Sequence, residues 1–320
     1  MMKAAVVSSF SAPPKYADFA DPTPLEDEVP VRVTAAALHP IVKALANGSH
    51  YGSTGKLPFV AGVDGVGQLE DGKRVYFGTR SPWGTMAERA VAAPDRCIAI
   101  PDALNDVTVA GMMNPGMSAW AALSERAQFK AGEAVLILGA TGSAGLMAVQ
   151  IAKRLGARRV VAAGRNPAAL DEARSLGADA AISLTLDRDA LVAALRDEIA
   201  GSRIDVVLDY LWGAPAEAAL AAIAQKGLDH AAARIRYIQI GSIAGPTIPL
   251  PAAVLRSSGL EMLGSGFGSV SMERLFAALA NFLKAAAASP FQIKTKAAPL
   301  REVESLWNAS GNHARIVFRP

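Results

Sequence analysis

Apolar and polar positions follow two different rhythms along this chain. Over roughly the first hundred residues the apolar runs are short and broken by turn residues. Lys3–Ser8 and Val29–Ala37 read as strands, and Asp71-Gly72-Lys73-Arg74-Val75 reads as a turn entering another. From about Asn114 the rhythm changes to strand, then helix, repeated. Strand patterns fall at Ala134–Leu138, Val160–Ala163, Ala180–Leu184, Ile204–Asp209, Ile235–Ile240 and Leu260–Leu263. Between the first two, Leu146, Val149 and Ala152 sample helical spacing over Ser143–Leu155, and Gly156 follows as a stop. The next crossover has Pro167 near a helix start and Gly177 after Leu176. Past Phe291, Ile293–Ala297 and Ala314–Phe318 look like strands around a short helix near Leu300–Asn308, expected to return to the first domain. The expected division is therefore 1–115 for the first part of a mainly β domain, 116–290 for an inserted α/β domain, and 291–320 for the returning part of the first.

The apolar run Val135–Leu138 leads straight into Gly139-Ala140-Thr141-Gly142-Ser143-Ala144-Gly145 and then into the helical pattern. A strand, a G-x-x-G-x-x-G turn and a helix are the geometry in which main-chain amides and a helix N-terminus receive a pyrophosphate. Gly139 permits a tight exit from the strand, while Gly142 and Gly145 leave room for phosphate and for close helix–strand packing. Gly139, Thr141, Gly142, Ser143, Ala144 and Gly145 are accordingly the candidate pyrophosphate residues, and the fold class is α/β with a doubly wound parallel sheet of the Rossmann type. A kinase-like phosphate loop would need a lysine and then serine or threonine after the glycines, whereas Leu146-Met147 follow here.

The end of the second strand sits near the adenosine ribose in such folds, where NAD sites commonly carry an acid. This strand ends Ala162-Ala163-Gly164-Arg165-Asn166, without a carboxylate. Gly164 permits close approach, Arg165 can fork onto a 2′-phosphate and Asn166 can donate a further bond, which favours NADP(H) over NAD(H). The reading in which Arg165 merely faces water stays open. Farther on, Tyr210 closes one strand and Gly241-Ser242 follow another. They are candidates to line the nicotinamide half, or else an aromatic at the core's edge and a plain tight turn.

Composition narrows the class without changing it. At 51% hydrophobic and 19% charged, the 320 residues suit an ordered globular protein and argue against disorder. The uncharged runs Ala134–Ala152 and Tyr237–Leu255 are broken by glycines or prolines and read as strand, turn and helix or loop, not as membrane spans. The N-terminus enters a strand directly without a signal-peptide pattern, so a cytoplasmic location is expected. Cys97 is the single cysteine, which excludes an internal disulfide and a four-thiolate zinc site, and it reads as an inert small residue. Net charge is +3 with the basic residues dispersed, so no nucleic-acid face is expected.

The ordered segments Leu57-Pro-Phe-Val-Ala-Gly-Val-Asp-Gly-Val-Gly67, Asp71–Val75, Gly84-Thr-Met-Ala-Glu88, Gly139–Gly145 and Ala314-Arg-Ile-Val-Phe318 resemble the zinc-independent quinone oxidoreductase branch of the medium-chain dehydrogenase/reductase superfamily. The resemblance spans nearly the whole chain. It implies a GroES-like, mainly β domain with an inserted Rossmann domain and a cleft between them. It also implies NADPH-dependent reduction of quinones, enones or related activated alkenes, and frequent homodimers. Ser118, in Asn114-Pro-Gly-Met-Ser-Ala-Trp120, matches the small hydroxyl residue that approaches the nicotinamide in this family. Zinc-dependent relatives carry a histidine–glutamate pair where this chain has Val63-Asp64. With His39, His50, His230 and His313 scattered, no metal site is expected.

Hydride transfer to an activated alkene needs an oriented cofactor and a group that accommodates charge on the distant oxygen. Tyr51 is the leading substrate-side donor, with the alternative that it packs as an interface aromatic or a wall. His39 is the second candidate to donate or shuttle a proton, against capping its loop or facing solvent. Asp64 is read as fixing local backbone and the interdomain arrangement. Trp83, Trp120 and Trp212 offer apolar surfaces suited to a small planar acceptor, though each also suits a core. Two other functions stay open: an enoyl-thioester reductase of the same fold, and a nonenzymatic NADPH sensor or structural protein.

Overall fold

The computed structural model describes residues 1–224, 233–309 and 314–320. His230 and His313 lie outside the described residues. Two compact units emerge, one formed by Met1–Asn114 with Leu283–Pro320 and the other by Pro115–Phe282.

The first unit opens with eight short strands: β1 (Met2–Val7), β2 (Lys15–Phe19), β3 (Val29–Ala37), β4 (Phe59–Val60), β5 (Asp64–Gln68), β6 (Arg74–Gly78), β7 (Arg89–Ala92) and β8 (Cys97–Ala99). Helix α1 (Pro40–Ala46) follows β3, and α2 (Asp106–Ala121) carries the chain onward. Alternating side chains of β3, β6 and β7, namely Val31, Val33, Val75, Phe77, Ala90 and Ala92, share one buried cluster, as period-two strands with one covered face require.

The second unit is a Rossmann fold. Strands β9 (Ala134–Leu138), β10 (Arg159–Gly164), β11 (Ala180–Ser183), β12 (Val206–Asp209), β13 (Arg234–Gln239) and β14 (Gly259–Gly264) form one six-stranded sheet in the order β11-β10-β9-β12-β13-β14. Every pairing in it is parallel. Crossovers run through α3 (Ser143–Arg154), α4 (Pro167–Ser175), α5 (Arg188–Ser202), α6 (Gly213–Ile223) and α7 (Ala252–Arg256). All five residues of β9 are buried, because a central parallel strand is covered on both faces. The order reverses between β9 and β12, and the carboxyl ends of strands at such a switch point are where ligands bind in open α/β sheets.

Helix α8 (Met272–Ala288) leads back to the first unit, where β15 (Thr295–Pro299), α9 (Val303–Leu306) and β16 (Arg315–Arg319) follow. β16 pairs antiparallel with β3, Val317 opposite Ala37 and Phe318 opposite Ala36, and parallel with β15. The helix expected over Leu300–Asn308 is a single 3-10 turn at Leu300–Glu302 continued by α9. Pro299 ends β15 and starts this turn, since it has no N–H to give a ladder and its φ suits a helical entry.

Candidate functional site

The glycine turn lies at the carboxyl end of β9, on the switch point. Gly139 leaves the strand at φ +90°, and the N–H groups of Gly139 and Ala140 both donate to the Ala163 carbonyl at 2.9 Å, which fastens the turn to β10. The glycines are not equivalent. A Cβ at Gly145 would stand 2.3 Å from the Gly139 carbonyl oxygen, and one at Gly164 would stand 2.3 Å from Thr141 Cγ2, so both seats are filled by the fold itself. At Gly142 the nearest atom is 4.0 Å away, which leaves open space over the start of α3. Gly142 is the N-cap of that helix and no side chain caps it. The amides of Ser143, Ala144 and Gly145 in the first turn thus have no acceptor within the helix, and with the positive end of the helix dipole they form a cradle that fits a phosphate.

Beside this turn, β10 ends at buried Gly164, followed by exposed Arg165 and Asn166. Asn166 Oδ1 accepts the Ala169 N–H at 3.3 Å as the N-cap of α4, which leaves its amide donors outside that bond. Thr141 packs against Gly164 and so joins the two strand ends. The turn and the basic strand end therefore lie at neighbouring strands, β9 and β10, on one edge of the sheet.

Ser118 and Tyr210 meet although they are far apart in sequence. Ser118 Oγ donates to the Pro115 carbonyl at 2.8 Å and lies 3.4 Å from the Tyr210 hydroxyl. Burial pushes the Tyr210 phenol above its ordinary range, and the contact with Ser118 only partly opposes this. Gly241 is packed against Tyr210, whose carbonyl oxygen would be 2.6 Å from a Cβ there; Ser242 follows, exposed. Asp209, the last residue of β12, was read in the sequence only as the end of a strand; it is fully buried, and its carboxylate is bonded to Tyr237 and to two main-chain amides. Burial raises its pKa and these bonds oppose the rise. A lone acid closing the apolar run Val206–Leu208 was the available signal.

The two predicted donors lie in the first unit and differ sharply. Tyr51 is 74% exposed, and its ring stacks on His50 with centroids 4.2 Å apart. His39 is a correction to the expectation of a capping or solvent-facing loop residue: it is wholly buried at the start of α1 and its side chain caps nothing. Burial, and then the nearby Arg315 cation, push the imidazole well below its ordinary range, which holds it neutral. Its Nε2 stands 3.8 Å from Asp64 Oδ1. The imidazole is thus closed off from solvent. Asp64 Oδ2 accepts the Tyr76 hydroxyl at 2.7 Å, and burial pushes its carboxyl up to about 6 against the opposing effects of that bond and of Arg315. Tyr76 was absent from the sequence reading, and Arg315 entered it only as part of the segment Ala314–Phe318, with no role of its own.

The tryptophans each have a partner. Arg80 lies 4.6 Å from the Trp83 ring, Trp120 tilts against Phe282 at 5.5 Å, and Trp212 packs on the core of the second unit. Burial lifts the Cys97 thiol to about 11, which keeps it protonated and unreactive. Among the described residues no cluster of three or more His, Cys, Asp or Glu side chains could hold a metal ion, and no helix is long and apolar enough to cross a membrane.

Comparison with known proteins sets this geometry in context. Residues 144–284 match the family model described as zinc-binding dehydrogenase. A probable NADPH-dependent quinone reductase of Emericella nidulans, tdiC, is 28% identical over 100% of both chains. The quinone oxidoreductase of Lama guanicoe is 34% identical over 48% of this chain and 50% of its own length. Among solved structures, the quinone oxidoreductase of Thermus thermophilus, determined also in complex with NADPH, superposes with a TM-score of 0.81 at 27% identity, covering 100% of both chains.

Proposed function

We propose that this chain, similar over its whole length to quinone oxidoreductases of the medium-chain dehydrogenase/reductase superfamily, is an NADPH-dependent reductase delivering hydride to a quinone or to an activated alkene such as an enone. The observation that carries the reading is the phosphate cradle. Open space over Gly142, an uncapped helix start behind it, and an exposed arginine in place of an acid at the end of the adjacent strand together suit a dinucleotide bearing a 2′-phosphate.

In this reading the amides of the α3 N-terminus, with Gly139 and Thr141 behind them, hold the pyrophosphate. Gly164 gives the ribose close approach, and Arg165 with the Asn166 amide grips the 2′-phosphate. Ser118, Tyr210, Gly241 and Ser242 frame the nicotinamide half. The bound cofactor supplies the hydride. Tyr51, the accessible member of the two donors, is the candidate to hydrogen-bond the acceptor oxygen as charge builds there. With no side chain required to change its charge, the acceptor's proton can come from water.

The functional unit is proposed to be a homodimer. β14 is the terminal strand of its sheet, and exposed Leu255, Phe267 and Met272 flank it in sequence, an apolar rim of the kind that a second copy covers.

Fluorescence titration tests the nucleotide assignment. Arg165→Ala is expected to weaken NADPH by about ten- to hundredfold and to leave NADH within about threefold; equal losses for both would reject the phosphate role. Steady-state NADPH oxidation against quinones, enones and enoyl thioesters tests the acceptor. Turnover confined to the thioesters would move the substrate to that class, and none at all would reject the reductase assignment.

A further inference from the structure

Two loops leave the sheet beside its switch point, one after β12 and one after β13, and a single buried side chain lies at the root of both. Asp209 Oδ1 accepts the N–H of Leu211 at 2.8 Å and of Trp212 at 3.0 Å, and Oδ2 accepts the Tyr237 hydroxyl at 2.7 Å. The Asp209 main-chain carbonyl accepts from Ile240 at 2.7 Å and Gly241 at 3.1 Å, so the same residue ties down the second loop. The first of these turns is not relaxed. Trp212 has φ 57° and ψ −156°, a combination that residues with a Cβ rarely adopt and that persists only where the surroundings enforce it.

The Oδ1 fork supplies that enforcement, because an aspartate accepting from amides two and three residues ahead stabilises a local turn over the alternatives. What the turn carries is the important point. Tyr210 sits between Asp209 and the two bonded amides, with its hydroxyl beside Ser118; its carbonyl crowds Gly241; and the Leu211 carbonyl accepts the Ala244 N–H at 2.8 Å. The main-chain carbonyls of Asp209 and Leu211 join this turn to the Gly241 loop, so a change in the backbone at Trp212 would be passed to Tyr210 and to that loop. The phosphate cradle on β9 and α3 takes no bond from the Asp209 carboxylate.

We infer that Asp209 is a positioning residue for the nicotinamide half of the cofactor, fixing Tyr210 and the Gly241–Ser242 loop without contributing to phosphate binding. The inference rests on the proposed NADP(H) reading of this site. It predicts a split between two ligands that share the adenosine, its 2′-phosphate and its 5′-phosphate, of which only NADPH carries the second phosphate and the nicotinamide riboside.

Calorimetric titration with NADPH and with adenosine 2′,5′-bisphosphate reads that split directly. Asp209→Ala is expected to bind NADPH about tenfold more weakly or worse, with the bisphosphate within about twofold of the unsubstituted protein. Asp209→Asn keeps an Oδ1 acceptor for the two amides and is expected to restore NADPH binding to within about threefold. Should Asp209→Ala not fold, Tyr237→Phe loosens the carboxylate from its other side and is expected to cost about threefold for NADPH alone. Equal weakening of both ligands in Asp209→Ala would make Asp209 a residue of the fold only, and no weakening of either would leave it no role; both results overturn the inference. If the unsubstituted protein binds the bisphosphate but Asp209→Ala and Tyr237→Phe leave NADPH unaffected, the inference falls and the nucleotide reading survives. If it binds neither ligand, the nucleotide reading falls and takes this one with it.

Discussion

His39 Nε2 and Asp64 Oδ1 face each other at 3.8 Å inside the first unit, and neither atom has a hydrogen-bond partner among the described residues. The groups around them are Tyr76, which bonds the other carboxylate oxygen, the largely buried Arg315, and Lys43, whose pKa burial and Arg315 both lower. The two titrations oppose each other. Asp64 is raised from 3.8 to about 6 in the folded protein, so its contribution to stability is complete below the unfolded value and is lost as pH rises through about 6. His39 is lowered from 6.5, so its contribution is present above that value and is lost as pH falls through its depressed one. A carboxyl carbon NMR titration should therefore show Asp64 inflecting near 6, and Tyr76→Phe should move it higher by removing a bond that favours the carboxylate. An inflection near 3.8 would show that the pocket is wet and would remove the argument for a sealed His39. None of this was legible in the sequence. A histidine before proline in a loop-like segment reads as exposed, and the arginine beside it arrives from the last strand of the chain.

At the scale of elements, strand–turn–helix units carry both the legibility and the chemistry. The run from β9 through α3 was readable to within a residue, because five apolar residues buried on both faces, a glycine turn and a helical apolar stripe leave few alternatives. The carboxyl ends of β10 and β13 were readable to within one residue and that of β12 was exact, while the start of β12 was placed two residues early because apolar Ile204 continues the strand pattern. The separate duties of the glycines emerged only in three dimensions. Gly142→Ala is expected to leave the unfolding midpoint in urea unchanged, because its seat is open and its backbone is ordinary for alanine, while weakening NADPH by about tenfold or more. Gly145→Ala is expected to cost about 1–3 kcal/mol of stability, because its Cβ meets main chain that cannot yield cheaply. A reversed result, with Gly142→Ala unstable and Gly145→Ala stable but unable to bind, would exchange the roles assigned to the two residues.

At the scale of the whole molecule, the parallel order β11-β10-β9-β12-β13-β14 brings the phosphate turn after β9, the basic end of β10, and the loops after β12 and β13 to the same edge of one sheet. The alternating pattern fixes the sheet, and the sheet gathers the loops that carry the candidate residues after β9, β10, β12 and β13. The free edge at β14 was less informative, as an apolar strand reads alike whether it meets another strand of its own sheet or a second copy. Light scattering after gel filtration is expected to give twice the mass of the 33.1 kDa chain, and a monomer at working concentration would refute the proposed use of that edge. The central claim remains that main-chain amides after β9, with Arg165 beside them, bind a nicotinamide dinucleotide carrying a 2′-phosphate. Calorimetric titration of the folded, unsubstituted protein is the direct test: saturable NADPH binding, tighter than NADH by about tenfold or more, is expected, and an absence of binding heat with either nucleotide, with no competition between them in a parallel fluorescence titration, would contradict it.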